Sequence, residues 1–153
     1  MATITFEEMK KKVWEAADIL RGSISSVEYK DYILGMLFLK RLSDVFEEEA
    51  ERVERETEDH DLAWNDPDEH QYFLPEGCRW GEIQKLTQKI GDTLNMITQK
   101  IEDQNPVMEK VLGNIDFNSY KLGDLKQRDT NLSALIRNFS AIPMRNSDLE
   151  SPD

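Results

Sequence analysis

The residue types that carry chemistry are few in this chain and poorly spaced for it. Cys78 stands alone, and His60 and His70 are ten residues apart in a turn-rich stretch, a pattern that matches no zinc spacing. Asp66 or Glu69 could join the histidines as ligands, but solvated histidines heavily outnumber metal ligands in such loops, so no metal site is expected. Cys78, beside Trp80, reads as a small buried or half-buried filler and not as a nucleophile. None of the seven glycines forms a G-x-G pair and no P-loop lysine motif is present, so no phosphate cradle is visible. Glu47 to Asp61 holds nine carboxylates in fifteen residues but lacks the ligand spacing and glycine of a calcium loop. Glu48 with Arg52 and Glu51 with Arg55 are spaced as helical ion pairs, which makes this stretch a solvated helix face. Neither catalytic nor cofactor-binding residues are expected. The basic residues worth attention are Lys10, Lys11 and Lys12, and then Lys30, Lys40 and Arg41. Lys40 and Arg41 fall outside the apolar stripe of their helix and are expected to reach a surface. Lys30 and Arg41 project within about 20° of each other at 100° per residue, with Lys40 about a quarter turn away.

The elements that position these residues are helical. Phe6, Met9, Val13, Trp14, Ala17 and Leu20 step by three and four, the mark of one amphipathic face. Thr5 and Glu8 have capping-box spacing ahead of it, and Gly22 is expected to stop it. Ser25 and Glu28 repeat that spacing and open a longer helix. From Tyr29 to Leu39 its apolar residues point all round, which predicts a central core helix, with Gly35 permitting close approach of a neighbour. Its stripe then narrows to Leu42, Phe46, Ala50 and Val53, and the helix is expected to run into solvent near Glu56. Thr57 to Cys78 loses periodicity and reads as a long ordered loop pinned by Trp64, Tyr72, Phe73 and Leu74. Ile83, Leu86, Ile90, Leu94, Ile97 and Ile101 predict one further helix, breakable at Gly91. Asn105 as cap and Pro106 at the first position start a short helix with Val107, Met108, Val111 and Leu112 inward, ended by Gly113. Leu132, Leu135, Ile136 and Phe139 mark the last helix, stopped by Pro143. With no period-two segment and no repeat, the fold class is all-α: a small helical bundle with a long central core helix and a long ordered loop. Residues 1–145 form the domain, and 146–153 read as the start of a linker.

Size and charge agree with a single helical domain. The chain has 153 residues, 39% hydrophobic and 33% charged, and a net charge of −12. That balance excludes a generally basic nucleic-acid-coating protein, though not a local basic patch. A single cysteine fits a reducing cytoplasm. The longest apolar run, Tyr32 to Leu39, is eight residues, far short of a membrane span, and the first twelve residues lack a signal core.

The run Ala16-Ala17-Asp18-Ile19-Leu20-Arg21-Gly22-Ser23, followed by Glu28-Tyr29-Lys30-Asp31-Tyr32-Ile33-Leu34-Gly35-Met36-Leu37-Phe38-Leu39-Lys40-Arg41-Leu42-Ser43-Asp44, resembles the N-terminal helical domain of the modification (M) subunit of type I restriction-modification enzymes. Tyr72-Phe73-Leu74-Pro75 with Trp80, and Ile101-Glu102 with Asn105-Pro106, extend the resemblance from about Val13 to about Ile142. It implies a subunit of an adenine-specific DNA methyltransferase that uses S-adenosylmethionine. The implied partners are a specificity subunit, a second modification subunit, a restriction subunit and double-stranded DNA. In that family the catalytic motif is Asn or Asp, then Pro-Pro, then an aromatic that stacks on the flipped adenine. Here Asn105-Pro106-Val107-Met108 and Asp66-Pro67-Asp68-Glu69 lack the second proline and the aromatic, so both are decoys. The resemblance therefore implies a non-catalytic domain, inactive alone, that helps assemble the enzyme and close it on DNA. Lys30, Lys40 and Arg41 are its expected DNA contacts. The alternative is a free-standing helical adaptor or inhibitor that binds a specificity subunit.

Overall fold

The computed structural model describes residues 5–21, 26–113 and 115–149, and among these every regular element is a helix or a 3-10 turn. Helix α1, Phe6–Arg21, begins where Thr5 Oγ1 accepts the Glu8 amide at 3.0 Å, as the capping spacing predicts. Gly22 and Ser25, expected to stop α1 and to cap the next helix, lie outside the described residues, as do Glu150 to Asp153. Helix α2, Ser26–Thr57, is the long central element and ends one residue past the expected point. Its narrow stripe of Leu42, Phe46, Ala50 and Val53 is buried. The wider band before it is not buried all round: Tyr32, Ile33, Met36 and Leu39 face the core, while Leu34 and Phe38 are 37% and 38% exposed. The expectation of a fully surrounded helix is thus corrected. One side of α2 between Tyr29 and Leu37 faces a groove described below.

The stretch from Thr57 to Cys78 is ordered and more structured than its lack of periodicity suggests. Asp59 Oδ1 accepts the Leu62 amide at 3.0 Å and caps α3, His60–Asn65; a 3-10 turn at Pro67–Glu69 follows, with Asp66 Oδ1 accepting the Asp68 amide. Trp64 and Phe73 meet the buried Phe46 ring edge-on, each at 5.9 Å between centroids. Leu74 is fully buried, so the aromatic and aliphatic anchors pin the segment as predicted.

The single helix expected from Ile83 to Ile101 is two. Helix α4, Trp80–Ile83, is one turn, and α5 is Ile90–Gln104. The break falls at Lys89, whose φ of 49° is left-handed, and not at Gly91. Asp129 crosses from a distant helix to accept the Lys89 and Ile90 amides at 3.0 and 2.9 Å, satisfying the start of α5. Gly91 has a different use: a Cβ there would run into the Phe117 carbonyl oxygen. Gly35 does the same on α2, where a Cβ would lie 2.8 Å from Ile115 and 3.0 Å from the Phe117 ring. The two glycines thus let the segment around Phe117 thread between α2 and α5, and Phe117 is fully buried there.

A 3-10 turn at Pro106–Met108 leads into α6, Glu109–Leu112, where Leu112 is buried but Val107, expected inward, is 56% exposed. Another 3-10 turn, Tyr120–Leu122, precedes α7, Leu125–Ser140, capped by Asp124 on the Gln127 amide. The leucine and phenylalanine face of α7 packs on α1, α2 and α5 and closes one continuous core. The domain is all-α, and among the described residues no helix is long and apolar enough to cross a membrane.

Candidate interaction surface

The charged row on α2 does not lie open to solvent. Residues 142–149 run along it as a strap. Lys40, at 5% exposure, pairs with Asp44 one turn on and donates to the Ile142 carbonyl at 2.9 Å. Asp44 also accepts the Met144 amide at 2.8 Å. Arg41 is half-buried and donates to the Met144 carbonyl and to Asn146 Oδ1, both at 2.5 Å. Arg145 reaches back to both carboxylate oxygens of Glu51 at 2.6 and 2.9 Å, and Glu48 accepts the Asn146 and Ser147 amides.

Three expectations change here. Lys40 does not reach a surface: its position outside the apolar stripe puts it beneath the strap. Glu48 and Glu51 serve residues about a hundred positions away, and among the described residues neither forms an ion pair with Arg52 or Arg55. The folded unit also extends into the segment read as linker, since Asn146 and Ser147 are bonded to α2 and Asp148 is buried.

Titration follows the geometry. The Arg145 hydrogen bonds hold Glu51 below the ordinary glutamate range, against a smaller opposing effect of burial. Burial pushes Glu48 up, but the bonds from Ser147 and Asn146 outweigh it and hold the carboxyl lower. Glu47 moves the other way, raised first by burial and then by neighbouring Asp44.

The residues that looked closest to chemistry are structural. Asn105 does not cap the following turn with its side chain. Its Oδ1 accepts the Phe73 amide at 2.9 Å, and its Nδ2 donates to the Phe73 and Ile101 carbonyls at 2.8 and 2.9 Å. The amide therefore tacks the loop to α5. Asp66 caps a 3-10 turn. His70, expected on a surface, has a buried side chain that stacks on Phe46 at 4.0 Å between ring centroids. Its Nδ1 lies 3.0 Å from Glu49 and its Nε2 2.7 Å from the Ala63 carbonyl. His60 is exposed and paired with Glu54. Cys78 is buried, and burial raises its thiol pKa, which disfavours the thiolate. Among the described residues no cluster of His, Cys, Asp or Glu is placed to hold a metal ion.

These residues do not fit S-adenosylmethionine either. The Asn105 amide is committed to backbone, and the two glycines of close approach face Ile115 and Phe117.

What the surface does offer is a groove between α1 and α2. It encloses about 390 Å³ and is lined by Met9, Val13, Trp14, Ile33, Leu34 and Leu37, with Lys10 and Lys30 among the residues at its wall. Trp14 is 55% exposed, although its place in the α1 stripe predicts burial, and it forms part of this apolar wall. Lys30, unlike Lys40, is exposed. An apolar trough with cationic side chains beside it suits an amphipathic protein element better than a small polar substrate. The sequence carried a signal for it: the all-round apolar band of α2 exceeds what α1 and α7 cover.

Comparison with known proteins agrees with this domain reading. Residues 9–139 match the family described as the HsdM N-terminal domain. The methylase subunit of the type I restriction enzyme MjaIX from Methanocaldococcus jannaschii is 27% identical, over 88% of this chain and 26% of its own length. The crystal structure of a type I restriction-modification system methyltransferase subunit from Streptococcus thermophilus superposes with a TM-score of 0.73 at 25% identity, over 89% of this chain and 34% of that one. The chain thus spans about a quarter to a third of the relatives it matches. It belongs to the HsdM N-terminal domain family, the N-terminal domain of type I restriction-modification methyltransferase subunits.

Proposed function

We propose that this domain performs no chemistry of its own and serves to assemble a type I modification enzyme and close it on DNA. The observation that carries the reading is the α1–α2 groove, an apolar trough with the exposed Trp14 in its wall and Lys10 and Lys30 beside it. A surface of that kind is stabilised by covering it. In this reading the methyl transfer, the S-adenosylmethionine site and the adenine pocket belong to the remainder of a full-length subunit. The partners are the specificity subunit, a second modification subunit and the restriction subunit, working on double-stranded DNA in the cytoplasm. Lys30 is the one of the three expected DNA contacts that is free to serve, since Lys40 is buried and Arg41 is engaged with the strap.

The test is reconstitution of a complete modification subunit carrying this domain with its specificity subunit. Replacing Trp14 and Leu34 by Glu puts charge in the trough and, on this reading, weakens assembly or DNA retention at least tenfold. Assembly and retention identical to wild type would reject it.

A further inference from the structure

Cations also collect on α7 in this acidic chain. Lys126, Ser133 and Arg137 fall within about 40° of each other at 100° per residue, with Thr130 at the edge of the same stripe. Lys126 and Arg137 are both exposed, eleven residues apart, which spans about 16 Å along the helix. With Thr87 from the segment before α5 and Asp129 of α7 itself, these residues line a groove of about 340 Å³.

Its charge balance is unusual for this protein. Helix α7 carries Lys126, Arg128 and Arg137 against a single carboxylate, Asp129. That carboxylate is already committed: its two oxygens accept the Lys89 and Ile90 amides at the positive end of α5. Asp124, just ahead of α7, is committed to the Gln127 amide. Among the described residues neither Lys126 nor Arg137 forms an ion pair. Thr130 donates its hydroxyl to the Lys126 carbonyl, which leaves Thr87 and Ser133 as the hydroxyl donors of the groove.

Two unpaired cations on one rigid helix, with the Ser133 hydroxyl between them and the Thr87 hydroxyl from the segment before α5, are the donor set that holds a nucleic-acid phosphate backbone, and it contains nothing suited to reading bases. We infer that this face of α7 docks on the phosphates of duplex DNA. The inference deepens the closure reading and rests on it: the groove between α1 and α2 would join protein to protein, and α7 would lie against the DNA being enclosed. A net charge of −12 disfavours DNA over most of the domain, so a phosphate backbone is steered to cation-bearing faces such as this stripe.

The experiment uses the reconstituted modification complex with Lys126→Gln and Arg137→Gln together, and measures DNA affinity against salt concentration on a target duplex and an unrelated duplex. Unchanged helical circular dichroism and thermal midpoint establish that the variant is folded. The expected result is a salt slope shallower by about 1–2, with equal weakening on both duplexes. Closure is read separately, from the DNA dissociation rate of the Trp14→Glu, Leu34→Glu groove variant. If that variant releases DNA faster while the α7 variant keeps the wild-type slope, the α7 assignment is overturned and closure stands. If the groove variant releases DNA at the wild-type rate, closure itself is overturned and the α7 inference with it.

Discussion

Lys40 and Asp44 stand one turn apart on α2 and form an ion pair sealed beneath residues 142–149. The lysine also donates to Ile142 and the aspartate also accepts from Met144, so both charges are satisfied by the segment that covers them. A buried pair of this kind contributes little net stability by itself, but removing one partner strands the other. Here the pair fixes where the end of the chain lies.

Lys40→Ala therefore destabilises the domain by about 3–5 kcal/mol, because Asp44 is left buried without its cation. Urea denaturation followed by circular dichroism checks it. A loss below 1 kcal/mol would mean that the strap opens and lets water reach Asp44.

The strap makes stability fall on acidification. Glu51 and Glu48 titrate below the ordinary value of 4.5 when folded. Their contribution is thus complete above that value and is lost as pH falls through the lower folded values. Glu47, raised by burial, works in the opposite sense: its protonation as pH falls favours the fold. Between pH 5 and 3 the Glu51→Gln variant loses less stability than wild type, read as the change in thermal midpoint. An equal loss would show that Arg145 does not depend on Glu51.

Asn105→Ala removes three hydrogen bonds and leaves the Phe73 amide and carbonyl without their partner. The cost is about 1–3 kcal/mol, in the range for stranding a buried polar group. Amide hydrogen exchange localises it: protection is lost at Phe73 first. Retained protection there would contradict the role assigned to the side chain.

Phe46 and Phe38 separate the core from the surface of α2. Phe46 is fully buried under Trp64, His70 and Phe73, so Phe46→Ala costs about 3–5 kcal/mol. Phe38, 38% exposed, has less to lose, and Phe38→Ala costs roughly 1–2 kcal/mol. Equal losses in denaturant titrations of the two variants would place Phe38 in the core after all.

Local signals were legible in the sequence, and long-range ones were not. Thr5 with Glu8, the Leu42-Phe46-Ala50-Val53 stripe and the apolar face of α7 depend on neighbours three or four residues away, and periodicity reports those directly. The place of the α4–α5 break, expected at Gly91, was not legible because Ile83, Leu86 and Ile90 keep helical phase across it. What sets the break is a left-handed Lys89 and a carboxylate arriving from Asp129. Lys40 looked like a surface cation because its partner carbonyl at Ile142 is 102 residues away. His70 looked like a solvated loop residue for the same reason, since Phe46 and Glu49 lie on another element. Trp14 sat in an apolar stripe that nothing in its own helix could show to be half uncovered.

Closure through the α1–α2 groove, without chemistry in this domain, is tested most directly by one paired measurement. The complete modification complex is prepared as wild type and as the Trp14→Glu, Leu34→Glu variant. DNA dissociation rate and single-turnover methyl transfer on bound DNA are then recorded for each. Closure through the groove predicts at least tenfold faster dissociation with an unchanged transfer rate on DNA that is still bound. Unchanged dissociation together with slowed transfer would contradict it.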